Sequence, residues 1–301
     1  MIFLKKGERV TKPSALTVGM FDGLHLGHRE LIGQLKKTAG ELKTILFTFQ
    51  VADESGCIYT AAEKKELLQK MGLDYAYLQE STPEFFATKR EDFLFYLKDR
   101  YNMKSITVGE DFRFGSGAMG DAPYLCQNAE RFEFAVHVVP PVVLDGNKVS
   151  STRIRGLIAA GSVREAARLL GGYYFASGRV EQGNRLGSQM DFPTINIKTP
   201  KMKPANGMYA TFTQIGGRTY ESVTNVGVRP TVSKDNQNIE TNIFDFNDKI
   251  YDKEVAVYFV EKIRDEKKFG GISELKSQIS RDKQAAAEFL GNKNVYKPEW
   301  L

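Results

Sequence analysis

The chain has 301 residues, 42% of them hydrophobic and 26% charged, with a formal net charge of +5 at neutral pH. That length suits about two domains, and that balance excludes an intrinsically disordered chain. No apolar run approaches the ~20 residues that cross a bilayer, and Lys and Arg are scattered, so neither a membrane partner nor a nucleic-acid partner is expected. The start, MIFLKKGERV, places its charges behind a very short apolar stretch, the wrong order for a signal peptide. Cys57 and Cys126 have no CxxC spacing, and read as reduced, packed thiols of a cytoplasmic protein.

In chain order, ALTVGMF reads as a strand. HRELIGQLKKTAGEL follows with Leu31, Ile32 and Leu35 at helical spacing. KTILFTF reads as a strand, AAEKKELLQKM as a helix and DYAYLQ as a short strand. REDFLFYLKDRYN is a helix, KSITVG a strand, APYLCQNAERF a helix and FEFAVHVVPPVVL a strand. This alternation predicts a doubly wound parallel sheet, whose ligands bind beyond the carboxyl ends of the strands. TRIRGLIAAG and SVREAARLLGG read as two short closing helices, the second with a capping box from Ser162 to Glu165. From about residue 173, short strands separated by Gly, Asn and Asp turns predict a small all-β sandwich or barrel. These are YYFASGRVEQG, PTINIK, MYATFTQIGGRTYESVTNVGV, IETNIFDF and EVAVYFVEKI. An amphipathic helix, GISELKSQISRDKQAAAEFL, ends the pattern, and the boundary is expected near Gly171 and Gly172.

The chain has three histidines, and two of them stand in GMFDGLHLGH, at a predicted strand-to-helix junction. Gly19, Gly23 and Gly27 let the backbone turn sharply and approach a ligand. The helix that follows points its first N–H groups at the same place, which suits an anion. His25 and His28, three residues apart, can both donate to phosphate oxygens. A metal site would want a third ligand, and His137, in mid-strand, is expected in the core.

The HxGH string after a first strand resembles the nucleotidyltransferase superfamily. The fuller GMFDGLHLGH is similar to the adenylyltransferase module of bacterial bifunctional riboflavin kinase/FAD synthetases. TVGEDFRFG (Thr107–Gly115), with Gly120-Asp121, resembles that family's flavin and nucleotide loop, and VSSTRIR (Val149–Arg155) its second phosphate signature. Alone, SSTRIR would be a helix cap with solvated arginines. The resemblance implies attack by the FMN phosphate on the α-phosphorus of ATP, giving FAD and pyrophosphate. His25, His28 and Arg155 would be catalytic. Gly19, Phe21, Asp22, Gly23, Gly27, Ser151 and Thr152 would bind the nucleotide, and Asp111 and Phe112 the flavin. Mg²⁺ would bridge phosphate oxygens, with few protein ligands.

In the second half, GNRLGSQMDFPTINI (Gly183–Ile197), ANGMYA, TNVGVRPT, NIETNIFDF and IRDEKKF resemble the riboflavin kinase module of the same family. The resemblance implies that Thr194 and Asn196 hold Mg-ATP. Glu240 would be the base for the ribityl 5′-hydroxyl, and Arg264 and Glu266 would lie on the flavin side. It implies a Rossmann-like nucleotidyltransferase domain over residues 1–171, and a β-barrel kinase domain with a C-terminal helix over 172–301. ATP, riboflavin, FMN and FAD are the implied substrates and products. The chain departs from the family at several points. Gln50–Asp53 stand in place of a Pro-His-Pro string, Ala118 in place of a loop arginine, and Ser188–Asp191 in place of Arg-Thr-Leu-Gly. Gly171-Gly172-Tyr173 replaces Gly-Arg-Pro-Tyr, and Asn242 replaces a histidine. An FAD synthetase with a degenerate kinase barrel, and a non-catalytic flavin-binding regulator, therefore stay open as alternatives.

Overall fold

The computed structural model describes residues 1–181, 192–228, 237–246, 248–267, 269–292 and 295. Two compact units emerge: Met1–Glu54 with Tyr59–Ser150, and Ser55–Ile58 with Ser151–Leu301.

The first unit is a parallel sheet with helices between its strands. The long elements are β1 (Ile2–Leu4), β2 (Ser14–Val18), α1 (Leu26–Thr38), β3 (Lys43–Gln50), α2 (Ala61–Gln69) and β4 (Tyr75–Glu80). They continue through α3 (Pro83–Phe86), α4 (Arg90–Tyr101), β5 (Met103–Gly109), α5 (Ala122–Asn128) and β8 (Ala135–Val139). Two short ribbons, β6 (Arg113–Phe114) with β7 (Gly120–Asp121) and β9 (Val143–Leu144) with β10 (Asn147–Lys148), complete it. The order across the main sheet is β1-β4-β3-β2-β5-β8, every pair parallel. The chain works outward from β2 on one side, then returns to place β5 on the other. The switch point between β2 and β5 is where such sheets open a crevice beyond their carboxyl ends.

Continuous apolar strands such as ILFTF are buried on both faces, as a parallel sheet requires. Phe47 centres an aromatic cluster with Phe49, Tyr77, Phe85, Phe93, Tyr96 and Tyr101. The predicted FEFAVHVVPPVVL strand is divided: β8 stops at Val139, Pro140 and Pro141 intervene, and β9 begins at Val143. Proline lacks the N–H that a ladder needs. His137 is half-buried on the edge strand, not in the core.

Among the described residues, the second unit is a closed barrel with three helices. Its strands are β11 (Tyr174–Glu181), β12 (Ile195–Ile197), β13 (Gly207–Ile215), β14 (Arg218–Val228), β15 (Gln237–Ile243) and β16 (Glu254–Arg264), ordered β11-β12-β15-β14-β13-β16. Every neighbouring pair is antiparallel, and β16 closes on β11. Closure removes the free edges that short antiparallel strands would otherwise expose. Alternation puts Thr211, Ser222, Thr224 and Thr241 inward, where their buried hydroxyls satisfy one another at 2.8–2.9 Å. The helices are α6 (Ser151–Ala159), α7 (Val163–Leu170) and α8 (Ile272–Leu290). Gly171, in the left-handed region at φ 69°, ends α7. The expected Ser162–Glu165 box does not form: the Ser162 side chain makes no cap hydrogen bond, and Glu165 pairs with Arg168 at 3.2 Å. A box does form at Thr60–Glu63, where each side chain accepts from the other's backbone N–H.

Arg264 grips Asp282 of α8 through two contacts of 2.9 and 2.6 Å, and that carboxylate is buried. Removing the arginine strands the buried carboxylate without its countercharge. Arg264→Met should therefore cost about 3 kcal/mol, read as a lower urea midpoint for the barrel with an unchanged first unit.

Candidate active sites

After Val18 the chain must reverse into α1 within a few residues. Phe21 (φ 47°), Gly23 (φ 87°) and Leu24 (φ 42°) all adopt the left-handed region. Two of these carry side chains, which is strained backbone that surrounding packing must hold. Both are fully buried, and Thr48 Oγ1 donates to the Met20 carbonyl at 2.9 Å. Asp22, also buried, accepts from the Tyr59 amide at 3.5 Å.

The turn delivers His25 to the N-cap of α1, where Nδ1 accepts from the His28 amide at 3.3 Å. That bond puts the proton of neutral His25 on Nε2, the nitrogen left to donate. The two imidazoles stack with centroids 3.6 Å apart and planes 16° apart. Gly27 makes this possible: a Cβ there would stand 3.2 Å from His25 Cε1. Burial is the main reason that His25 is pushed down to about 4, with Lys148 contributing. Burial also holds His28 well below its ordinary value, helped by His25 and Lys64. His28 Nδ1 is buried without a hydrogen-bond partner among the described residues. The pair is neutral near pH 7, so each ring offers one N–H beside the free amides of a helix N-terminus.

Lys64 is a residue that the sequence reading passed over. It is 6% exposed, and its Nζ donates to the carbonyls of Met20 at 2.9 Å and Phe49 at 3.0 Å. It thereby ties the turn after β2 to the end of β3 and brings a fixed positive charge toward His28. The signal was present: Lys64 falls three and four residues before the apolar pair Leu67 and Leu68, on the buried face of α2.

Beside the turn lies a cavity of about 570 Å³, lined by Gly19, Met20, Phe49, Phe85, Phe86 and the segment around Asp111–Gly115. Phe112 and Phe114 stack with centroids 5.4 Å apart. Asp111 pairs with Lys148, which holds its carboxyl below the usual range. The structure thus brings Gly19, Asp111, Phe112 and the loop alanine Ala118 to one cavity. Ser151, Thr152 and Arg155 stand on the first turns of α6 and belong to the second unit.

On the barrel, Asn196 and Glu240 are direct cross-strand partners. Asn238 Nδ2 donates to Asn196 Oδ1 at 2.6 Å and to Glu240 Oε1 at 3.0 Å, so one amide aligns both. Thr194 lines a cavity of about 250 Å³ with Pro193, Ile195, Thr241 and Phe246. Asn242, at the departure from the family pattern, donates to the Pro193 carbonyl at 2.7 Å and so anchors the segment that carries Thr194. Glu266 accepts from Asn206 at 3.0 Å, and Arg264 is committed to Asp282. Ser188–Asp191 lie outside the described residues. Among the described residues no cluster of three His, Cys, Asp or Glu could hold a metal. The oxygens of Thr194 and Asn196 are the donor type that Mg²⁺ prefers.

Residues 7–153 match the FAD synthetase family model and residues 170–290 the riboflavin kinase model. The bifunctional riboflavin kinase/FMN adenylyltransferase of Haemophilus influenzae is 33% identical over 96% of this chain and 98% of its own. This chain belongs to that bifunctional family. The Escherichia coli K12 relative of the same description is 32% identical over 92% of each chain. A crystal structure described as a macrolide-efflux protein from Streptococcus pneumoniae is 32% identical, with a TM-score of 0.84 over 95% of this chain and 98% of its own. Among the described residues of this chain, no helix is long and apolar enough to cross a membrane.

A histidine depressed in the fold takes up its proton on unfolding. The stability linked to His25 is therefore whole above pH 6.5 and is lost as pH falls toward 4. The thermal midpoint of the first unit should drop over that window, and His25→Asn should flatten the drop.

Proposed function

We propose that this chain makes FAD from riboflavin in two ATP-dependent steps, each with its own set of residues. The observation that carries the reading is that each unit holds its own arrangement suited to phosphate chemistry. One is the stacked His25–His28 pair on a helix N-terminus beside an aromatic cavity. The other is the Asn196–Asn238–Glu240 cluster on the barrel. The assignment of residues 1–171 to adenylyl transfer and 172–301 to the kinase belongs to the same proposal.

In the first step, Glu240 takes the proton of the ribityl 5′-hydroxyl as its oxygen attacks the γ-phosphorus of ATP. The bond to the β-bridging oxygen breaks, giving FMN and ADP. Asn238 holds the carboxylate oxygen in place. Mg²⁺, when bound, would offset phosphate charge, with Thr194 and Asn196 as its protein donors.

In the second step, an FMN phosphate oxygen attacks the α-phosphorus of a second ATP. The α–β bridging bond breaks, and pyrophosphate leaves. No covalent enzyme intermediate is needed. His25 and His28 donate to the phosphates together with the first amides of α1, and preorganised donors of this kind favour the charge of the transition state. Ser151, Thr152 and Arg155 are assigned to the β and γ phosphates. The flavin ring is assigned to the cavity lined by Phe112 and Phe114, with Asp111 and Met20 at its side. Its flat apolar walls match a fused aromatic ring system.

The test is a time course of purified protein with riboflavin, ATP and Mg²⁺, the flavins being separated by chromatography. FMN followed by FAD is the expected outcome. FAD from supplied FMN, with nothing from riboflavin, would establish an FAD synthetase with a relict barrel. Flavin binding with no ATP turnover would establish a regulator. His28→Ala should abolish FAD formation and spare FMN formation. Glu240→Ala should do the reverse, with a loss of about 10²–10⁴-fold in phosphorylation. Loss of both activities from either change in a folded protein would overturn the division of labour.

A further inference from the structure

One wall of the aromatic cavity is a short loop of small residues. Between Phe114 and Asp121 it reads Gly-Ser-Gly-Ala-Met-Gly, and Gly115, Gly117 and Ala118 all adopt positive φ. Gly115, Gly117 and Ala118 line the cavity, yet none has a side chain that can reach a partner. Its own bonds are the Arg113–Asp121 and Phe114–Gly120 ladder pairs and one tight turn, in which the Ala118 amide donates to the Gly115 carbonyl at 3.0 Å and the Met119 amide to the Ser116 carbonyl at 3.4 Å.

The ties come from outside the loop, at the start of α4. Gly115 lies directly against the backbone of Arg90, where a Cβ would stand 2.8 Å from Arg90 Cα. The Ser116 amide donates to the Thr88 carbonyl at 2.7 Å. Arg90 Nη1 donates to the Met119 carbonyl at 2.8 Å, across the loop from Gly115. The guanidinium is itself fixed: its carbon lies 3.8 Å from the Tyr124 ring centroid, and Nε pairs with Glu91 at 3.1 Å. Tyr124 completes the circuit by donating to the same Glu91 oxygen at 2.7 Å. A planar donor, stacked on one face and paired at its edge, has little freedom left to lose.

We propose that Arg90 is a positioning residue for adenylyl transfer, clasping the Gly115–Asp121 loop so that the flavin-side wall of the cavity is formed before FMN arrives. The inference rests on the assignment of that cavity to the flavin. Arg90 touches no substrate in this account; it acts through the loop. The cost of ordering the loop is then met on folding rather than on binding, which raises affinity for the ligand that uses the wall.

Arg90→Met keeps the stem and removes every donor. In the full-length protein it should raise the KM for FMN in adenylylation about tenfold. Its kcat and its KM for ATP should stay within about twofold of the parent. Hydrogen exchange over residues 115–121 should quicken, and riboflavin phosphorylation by the same preparation should be unchanged. Arg90→Lys, which keeps one donor but not the stacked plane, should fall between the two. Gly115→Ala pushes the loop off α4 from the other side and should reproduce the Arg90→Met result. It also serves if Arg90→Met does not fold. A parental KM for FMN in Arg90→Met, or an equal rise in the KM values for FMN and ATP, would overturn the clasp. The flavin assignment is checked separately with Phe112→Ala. A parental KM for FMN there would remove the cavity reading itself, and the clasp with it.

Discussion

The first unit is organised around a reversal of the backbone between Val18 and Leu26. A parallel strand must end and a helix must begin over the same spot, so that helix amides and side chains point into one crevice. This demands left-handed backbone at Phe21 and Leu24, residues that avoid it. The strain is held by burial of both side chains, and by Thr48 and Lys64 gripping the Met20 carbonyl. Lys64 also reaches the Phe49 carbonyl near the end of β3, so one buried ammonium ties the turn to that strand.

The same burial sets the chemistry. Rings enclosed this far from water lose their charge near pH 7, and the stacked imidazoles become neutral donors rather than cations. Two N–H groups beside a helix N-terminus are the donor set proposed to receive a polyanion. Lys148 bears on His25 and Lys64 on His28, each disfavouring a second positive charge, and Lys148 is itself paired with Asp111.

The barrel solves a parallel problem without strain. Strand alternation sends hydroxyls inward, where they satisfy one another, and sends Asn196, Asn238 and Glu240 together on adjacent strands. At one departure from the family pattern, Asn242 supports the Pro193 carbonyl. At Ala118 the loop has no long side chain, and its restraint comes from Arg90 on a neighbouring helix.

Much of this was legible in the residues alone. Period and punctuation determined the parallel α/β half, the β half and the closing helix, because each element buries the face that its own pattern prescribes. The glycines and histidines of GMFDGLHLGH marked the strand-to-helix junction, because a tight turn into a helix leaves a local trace. Other features had no local trace. The Ser162 box failed and the Thr60 box formed, because a cap depends on the backbone that its neighbours impose. His137 went to an edge strand, because strand order decides which strand lies outermost. Lys64 reaches Met20 and Phe49, Arg90 reaches Met119 and Asn238 reaches Asn196, at distances along the chain that no spacing rule reads. Chain pattern determined what each segment becomes; only tertiary packing decided which carbonyls a buried cation would reach, and so which shape each site would keep.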